Sequence, residues 1–95
     1  MFARVTKMTA SAEWVEDGIA FVAERAPSTQ GQHGFRGAYW LIDRENGQGM
    51  AITFWETEEA MRASEPTGEE SRAQTVQSLS GRVLSVERYE VVAQA

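Results

Sequence analysis

GFRGAYWLIDRENGQGMAITFWETEEAMRA, residues 34–63, reads as a strand, a tight turn, a second strand and the capped start of a helix. Asn46-Gly47 stands between two alternating apolar runs, and this dipeptide supplies the positive φ angles of a type I′ turn. A two-residue loop there sets Glu45 opposite Gln48. Counting back, Asp43 meets Met50, Leu41 meets Ile52 and Tyr39 meets Phe54 on one face. The other face pairs Ile42 with Ala51, Trp40 with Thr53 and Ala38 with Trp55. Side chains alternate with a period of two, so a slip by one residue would exchange these faces.

Both faces are apolar, whereas an antiparallel sheet normally leaves one of them wet. The chain's own helices can cover one face and a second copy of the chain the other. On the tryptophan face each large residue stands opposite a small one. Two indoles staggered in this way either interdigitate as core or wall a flat cavity, and each indole N–H needs a partner.

Downstream, Thr57 is placed to cap a helix with Glu58 and Glu59 in its first turn, and Pro66 to break it. Thr67 with Glu70 three residues on forms a capping box for a second helical segment. Its apolar stripe, Ala73, Val76 and Leu79, is thin, which predicts a weakly anchored cover over the tryptophan face. Ser80-Gly81 ends it, and residues 82–92, RVLSVERYEVV, form a long last strand that can reach a neighbouring subunit. Upstream, residues 1–8 form a short strand with Phe2, Val5 and Met8 to bury. Val15, Ile19, Val22 and Ala26 recur at helical spacing, which predicts a helix over 12–26, capped by Thr9 or Ser11 and stopped by Pro27. Glu13, Glu16 and Asp17 suit the positive end of its dipole and Arg25 the negative end. Trp14 and Phe21 are expected to pack between helix and sheet.

Residues 28–34, STQGQHG, form a polar loop with the only histidine, His33. No second His, Asp or Glu stands near it at ligand spacing, so no metal site is expected. The glycines at 31, 34 and 37 lead into a strand, whereas a phosphate loop leads into a helix. Ninety-five residues predict one domain over 1–95. A net charge of −5 without a basic stripe argues against nucleic acid and anionic membrane as partners. No cysteine is present, and no apolar run reaches the roughly 18 residues of a membrane span. Arg4 and Lys7 interrupt any leader-like run, so a cytoplasmic protein is the expectation.

The element order, β-α-β-β-α-β, predicts an α+β, ferredoxin-like fold with two helices on one face of a four-stranded antiparallel sheet. Its uncovered face carries Tyr39, Leu41, Met50, Ile52 and Phe54. Burying such side chains is worth ~1.5–3 kcal/mol each, which predicts a face-to-face homodimer.

The run G-F-R-G, the Asn-Gly hairpin, F-W-E-T-E-E-A-M and the closing V-E-R-Y-E-V together resemble the antibiotic biosynthesis monooxygenase family of dimeric α/β barrels. The likeness follows element order over nearly the whole chain. It implies a homodimer whose sheets pack into a barrel, with a pocket between helices and sheet in each subunit. Some members are cofactor-independent monooxygenases acting on polycyclic aromatic phenols, others degrade haem, and many have no assigned activity. Trp55 matches the tryptophan that lines the pocket in catalytic members, which makes Ala38, Trp40, Thr53 and Trp55 the candidate substrate-binding residues. Haem-degrading members use a histidine on the second helical segment and an asparagine in the first strand. This chain has no histidine from Glu58 to Leu79 and no asparagine near Ala3, so no cofactor is expected. The groups available to ionise a phenol or hold an oxyanion are Thr53, Arg4, Tyr39, Tyr89 and His33. Two functions compete: a cofactor-independent monooxygenase of a small aromatic compound, which needs an open cavity, and a non-catalytic dimeric binding or stress-related module whose pocket is filled by Trp14, Trp40 and Trp55.

Overall fold

The first strand of the chain lies inside the sheet. In the computed structural model, which describes residues 1–95, β1 (Phe2–Thr9) pairs antiparallel with both β3 (Gln48–Trp55) and β4 (Arg82–Glu90). The strand β2 (Phe35–Ile42) completes a four-stranded sheet of order β2-β3-β1-β4. Helix α1 (Val15–Arg25) follows β1, and α2 (Glu58–Ala63) and α3 (Glu65–Ser78) follow the hairpin. This is the ferredoxin-like arrangement, with its second helix in two pieces.

The hairpin closes differently from the two-residue expectation. Asp43 N–H donates to the Gln48 carbonyl at 2.8 Å, leaving Arg44 to Gly47 as a four-residue loop. Of Asn46 and Gly47 only Gly47 has a positive φ, 73°, whereas a type I′ turn needs both. The reason is local: the Asp43 carboxylate accepts from Glu45 N–H at 3.0 Å, and the Asn46 side chain from Gln48 N–H at 2.9 Å. Two Asx turns therefore outcompete the tighter loop. The observed pairs are Tyr39 with Ile52, Trp40 with Ala51, Leu41 with Met50 and Ala38 with Thr53. The register is thus two residues from the expected one. Two residues is a full side-chain period, so every residue keeps its face. Beyond a bulge at Arg36, Trp55 stands opposite Phe35 rather than a small residue.

Helix starts differ as well. Ser11 precedes a 3-10 turn, Ala12–Trp14, without capping it through its side chain, and the regular helix begins only at Val15. The regular helix stops at Arg25, just ahead of Pro27 as expected, and the chain winds on as a 3-10 segment, Ala26–Gly31, that carries the proline in its first turn, where no N–H is needed. Pro66 likewise opens α3 from its first turn, so Thr67 lies inside the helix and the Thr67–Glu70 box does not form. Thr57 does cap α2, accepting from Ala60 N–H at 3.0 Å. At the other end of α3, Ser80 turns left-handed with φ 49°, and Gly81 N–H reaches back to the Val76 carbonyl at 3.0 Å. The last strand ends at Glu90, short of the expected Val92.

Helices cover the tryptophan face. Trp55, 1% exposed, packs with Ala60 and Met61, and Phe2 and Phe35 close around them. Trp14, expected in the core, is 37% exposed, because it sits in the 3-10 turn ahead of α1. The opposite face is open, with Tyr39 65% and Leu41 49% exposed. No helix is long and apolar enough to cross a membrane.

Candidate functional site

Alternation along three strands sends Phe2, Arg4, Thr6 and Met8 of β1, Ala51, Thr53 and Trp55 of β3, and Ala38 and Trp40 of β2 towards the helices. Helix α1 leans on α3 where Gly18 meets the Leu79 side chain, and neither helix fills the trough over the sheet. Two cavities remain. One, about 460 Å³, lies under α1 and is apolar, walled by Trp14, Val15, Ile19, Val22, Trp40 and Leu79. The other, about 410 Å³, lies under α3 and is polar, with Arg4, Thr53, Trp55, Arg25, Gln32 and Arg72 on its walls. Met8, Val22, Trp40 and Thr75 border both, so the two are adjoining halves of one cleft. Each half is within the ~300–1,000 Å³ of small-molecule sites.

The four candidate residues fall along this cleft. Ala38 borders the apolar half, Trp40 borders both halves, and Thr53 and Trp55 border the polar half. Trp55 itself is nearly all core. Its indole N–H donates to the Thr53 hydroxyl oxygen at 2.9 Å, its ring meets Phe35 edge-on at 5.5 Å, and the Arg4 guanidinium lies 5.6 Å from its centroid. With its oxygen engaged as an acceptor, the Thr53 hydroxyl keeps its own proton to donate.

Arg4 is the unusual group: a guanidinium 5% exposed on an interior strand. It donates to Ser64 Oγ at 2.9 Å and lies 3.5 Å from the Glu65 carboxylate. Burial pulls its pKa below the ordinary arginine value; Glu65 opposes that and the charge of Arg72 adds to it. Glu65 also receives both arms of Arg88, at 2.7 and 2.8 Å, and these hydrogen bonds hold its carboxyl below the usual range. Gly68 makes room for this group, since a β-carbon there would sit 2.7 Å from Arg4 Nη2 and 3.3 Å from Arg72 Nη1. The two guanidiniums therefore converge on one point.

Of the other groups expected to handle a phenol, Tyr39 touches only the rim of the apolar half, and Tyr89 and His33 line neither half. No histidine reaches the cleft, so the residues present do not fit haem-iron ligation. Arg25, Arg72, Ser64, Glu65 and Gly68 were not singled out as site residues by the sequence. The available signal was Arg4 and Thr6 alternating with Ala3 and Val5 on a strand that has to be interior.

Residues 1–76 match the family model described as antibiotic biosynthesis monooxygenase. The uncharacterized protein Rv2557 of Mycobacterium tuberculosis is 35% identical over 94 residues, covering 98% of this chain and 42% of its own length. The chain thus spans less than half of that relative. The heme-degrader MhuD of Mycobacterium tuberculosis, solved with two hemes bound, superposes with a TM-score of 0.79 at 19% identity, covering 100% of this chain and 99% of that one. A monooxygenase from the gene ActVA-Orf6 of Streptomyces coelicolor, in complex with nanaomycin D, gives 0.76 at 15%, covering 99% and 89%. At these identities the structural likeness establishes the fold. On the match over residues 1–76, this chain belongs to the antibiotic biosynthesis monooxygenase family.

Proposed function

We propose that the chain binds a small aromatic or polycyclic phenol in the cleft between α1, α3 and the sheet, and oxygenates it without a cofactor. The observation that carries this reading is the pair of adjoining cavities meeting at Trp40, one apolar and one polar. The ring system lies in the apolar half, and its hydroxyl points to the Thr53 hydroxyl and the Arg4 charge, which stabilise the phenolate. Such a phenolate supplies the electrons for dioxygen: one oxygen atom becomes a new ring carbonyl, the other leaves as water, and a quinone results. A second copy of the chain covers the open face of Tyr39, Leu41, Met50, Ile52 and Phe54, closing a dimeric barrel.

Oxygen uptake with a panel of anthrones and naphthols tests the reaction, with the quinone identified by mass. Stoichiometric uptake and a product 14 mass units heavier than its phenol (one oxygen gained, two hydrogens lost) support it, and binding without uptake refutes the catalytic part. That outcome would leave a binding module, which one observation favours: the polar half contains no histidine or lysine, and Glu70 is its one carboxylate.

A further inference from the structure

Charge in this protein is unevenly placed. The chain carries −5 overall, yet the polar half of the cleft is walled by Arg4, Arg25 and Arg72 with only Glu70 against them. Most cations in the chain are spoken for. Arg4, Lys7, Arg36, Arg44, Arg62 and Arg88 each pair with a carboxylate. Three arginines form no ion pair, namely Arg25, Arg72 and Arg82, and two of these three face the cleft. Arg25 lies over the Phe21 ring at 4.6 Å and donates to the neutral Gln74 side chain, so both contacts orient it and neither neutralises it. Arg72 converges with Arg4 on Gly68, and Arg4 already shares its one counter-ion, Glu65, with Arg88. A protein with fourteen acidic side chains has left these two cations facing a cavity.

We propose that Arg25 and Arg72 receive the carboxylate of the ligand, so that the substrate class is an aromatic acid. The inference rests on the reading of the cleft as the ligand site and deepens it. Arginine presents paired N–H donors that match a carboxylate, and a charge-assisted hydrogen bond is stronger than a neutral one. The adjoining apolar half, with Trp14 and Trp40 in its walls, takes the ring system. An apolar end joined to a cationic end prefers an amphiphile of that chemistry over neutral polycycles of the same shape and over small free anions.

Calorimetric titration of the full chain with 3-hydroxy-2-naphthoic acid, whose hydroxyl and carboxylate share one end of the ring, and, in parallel, its primary amide tests the proposal. The acid is expected to bind about tenfold tighter or more, and that preference is expected to shrink as salt rises. In R25Q/R72Q the preference is expected to disappear. Acid and amide binding equally to the unmodified chain would overturn the proposal and leave the aromatic cleft standing, and no variant is needed to see it. A preference that survives in a folded R25Q/R72Q would overturn it too. Binding of neither compound, to the unmodified chain, would overturn both this proposal and the reading beneath it.

Discussion

Trp55 and Thr53, two residues apart on the covered face of β3, are joined by an indole N–H that donates to the threonine hydroxyl oxygen at 2.9 Å. The bond is part-buried, at the edge of the cleft and beside a tryptophan 1% exposed. Thr53→Val keeps the shape and leaves the indole N–H without its acceptor. The expected cost is about 1–3 kcal/mol, read as a lower midpoint in urea. Thr53→Ser restores the acceptor and is expected to recover most of it. Equal stability of Thr53→Val and the unmodified chain would show that water replaces the hydroxyl.

Glu65 holds Arg4 and Arg88 together, and its pKa lies below the ordinary carboxylate value. A carboxyl whose folded pKa is depressed adds stability that is complete above its unfolded value, about 4.3, and drains away as pH falls through the folded one. Glu65→Gln is therefore expected to melt lower than the unmodified chain at pH 7, with the gap narrowing towards pH 3. Thermal melts across that range check it. A gap that stays constant with pH would mean that packing, not charge, is lost.

Ser80 adopts φ 49°, a left-handed conformation that costs a residue with a β-carbon about 1 kcal/mol, and it does so to close α3. Ser80→Gly is expected to stabilise the fold by roughly 0.5–1 kcal/mol, seen as a rise of a few degrees in Tm. Its neighbour cannot be changed in the same way, because a β-carbon at Gly81 would lie 2.0 Å from the Thr9 carbonyl oxygen.

The open sheet face supplies a test of assembly. Leu41 and Tyr39 are exposed on it, and Tyr39 meets Phe54 edge-on at 6.4 Å. Sedimentation at micromolar concentration is expected to give a dimer for the unmodified chain and a monomer for Leu41→Glu. A stable unmodified monomer would remove the second copy from the account.

The hairpin shows what was legible in the sequence and what was not. Alternation placed Trp40, Thr53 and Trp55 on one face and Tyr39, Ile52 and Phe54 on the other, because period-two geometry survives any even shift. Partner identity depended on the loop, and there Asp43 and Asn46 made Asx turns that a turn dipeptide alone does not disclose. The two prolines do mark helix ends, α1 stopping at Arg25 and α2 at Ala63, and what the sequence did not disclose is that each proline also sits in the first turn of the next segment, where an N–H is not needed. Trp14 followed helical spacing on paper, and the 3-10 turn ahead of α1 carried it to the cavity wall. The arginine cluster was hidden for a different reason. Arg4, Arg25 and Arg72 come from a strand, the end of one helix and the middle of another, and only the fold brings them together.

The central claim is that the cleft meeting at Trp40 receives an aromatic ligand, and a crystal grown with saturating hydroxyanthrone tests it most directly. Planar density against the Trp40 indole, with the ring under α1 and a hydroxyl directed at Thr53, is the predicted result. An empty cleft, or a Trp40 side chain turned to fill it, would contradict the account.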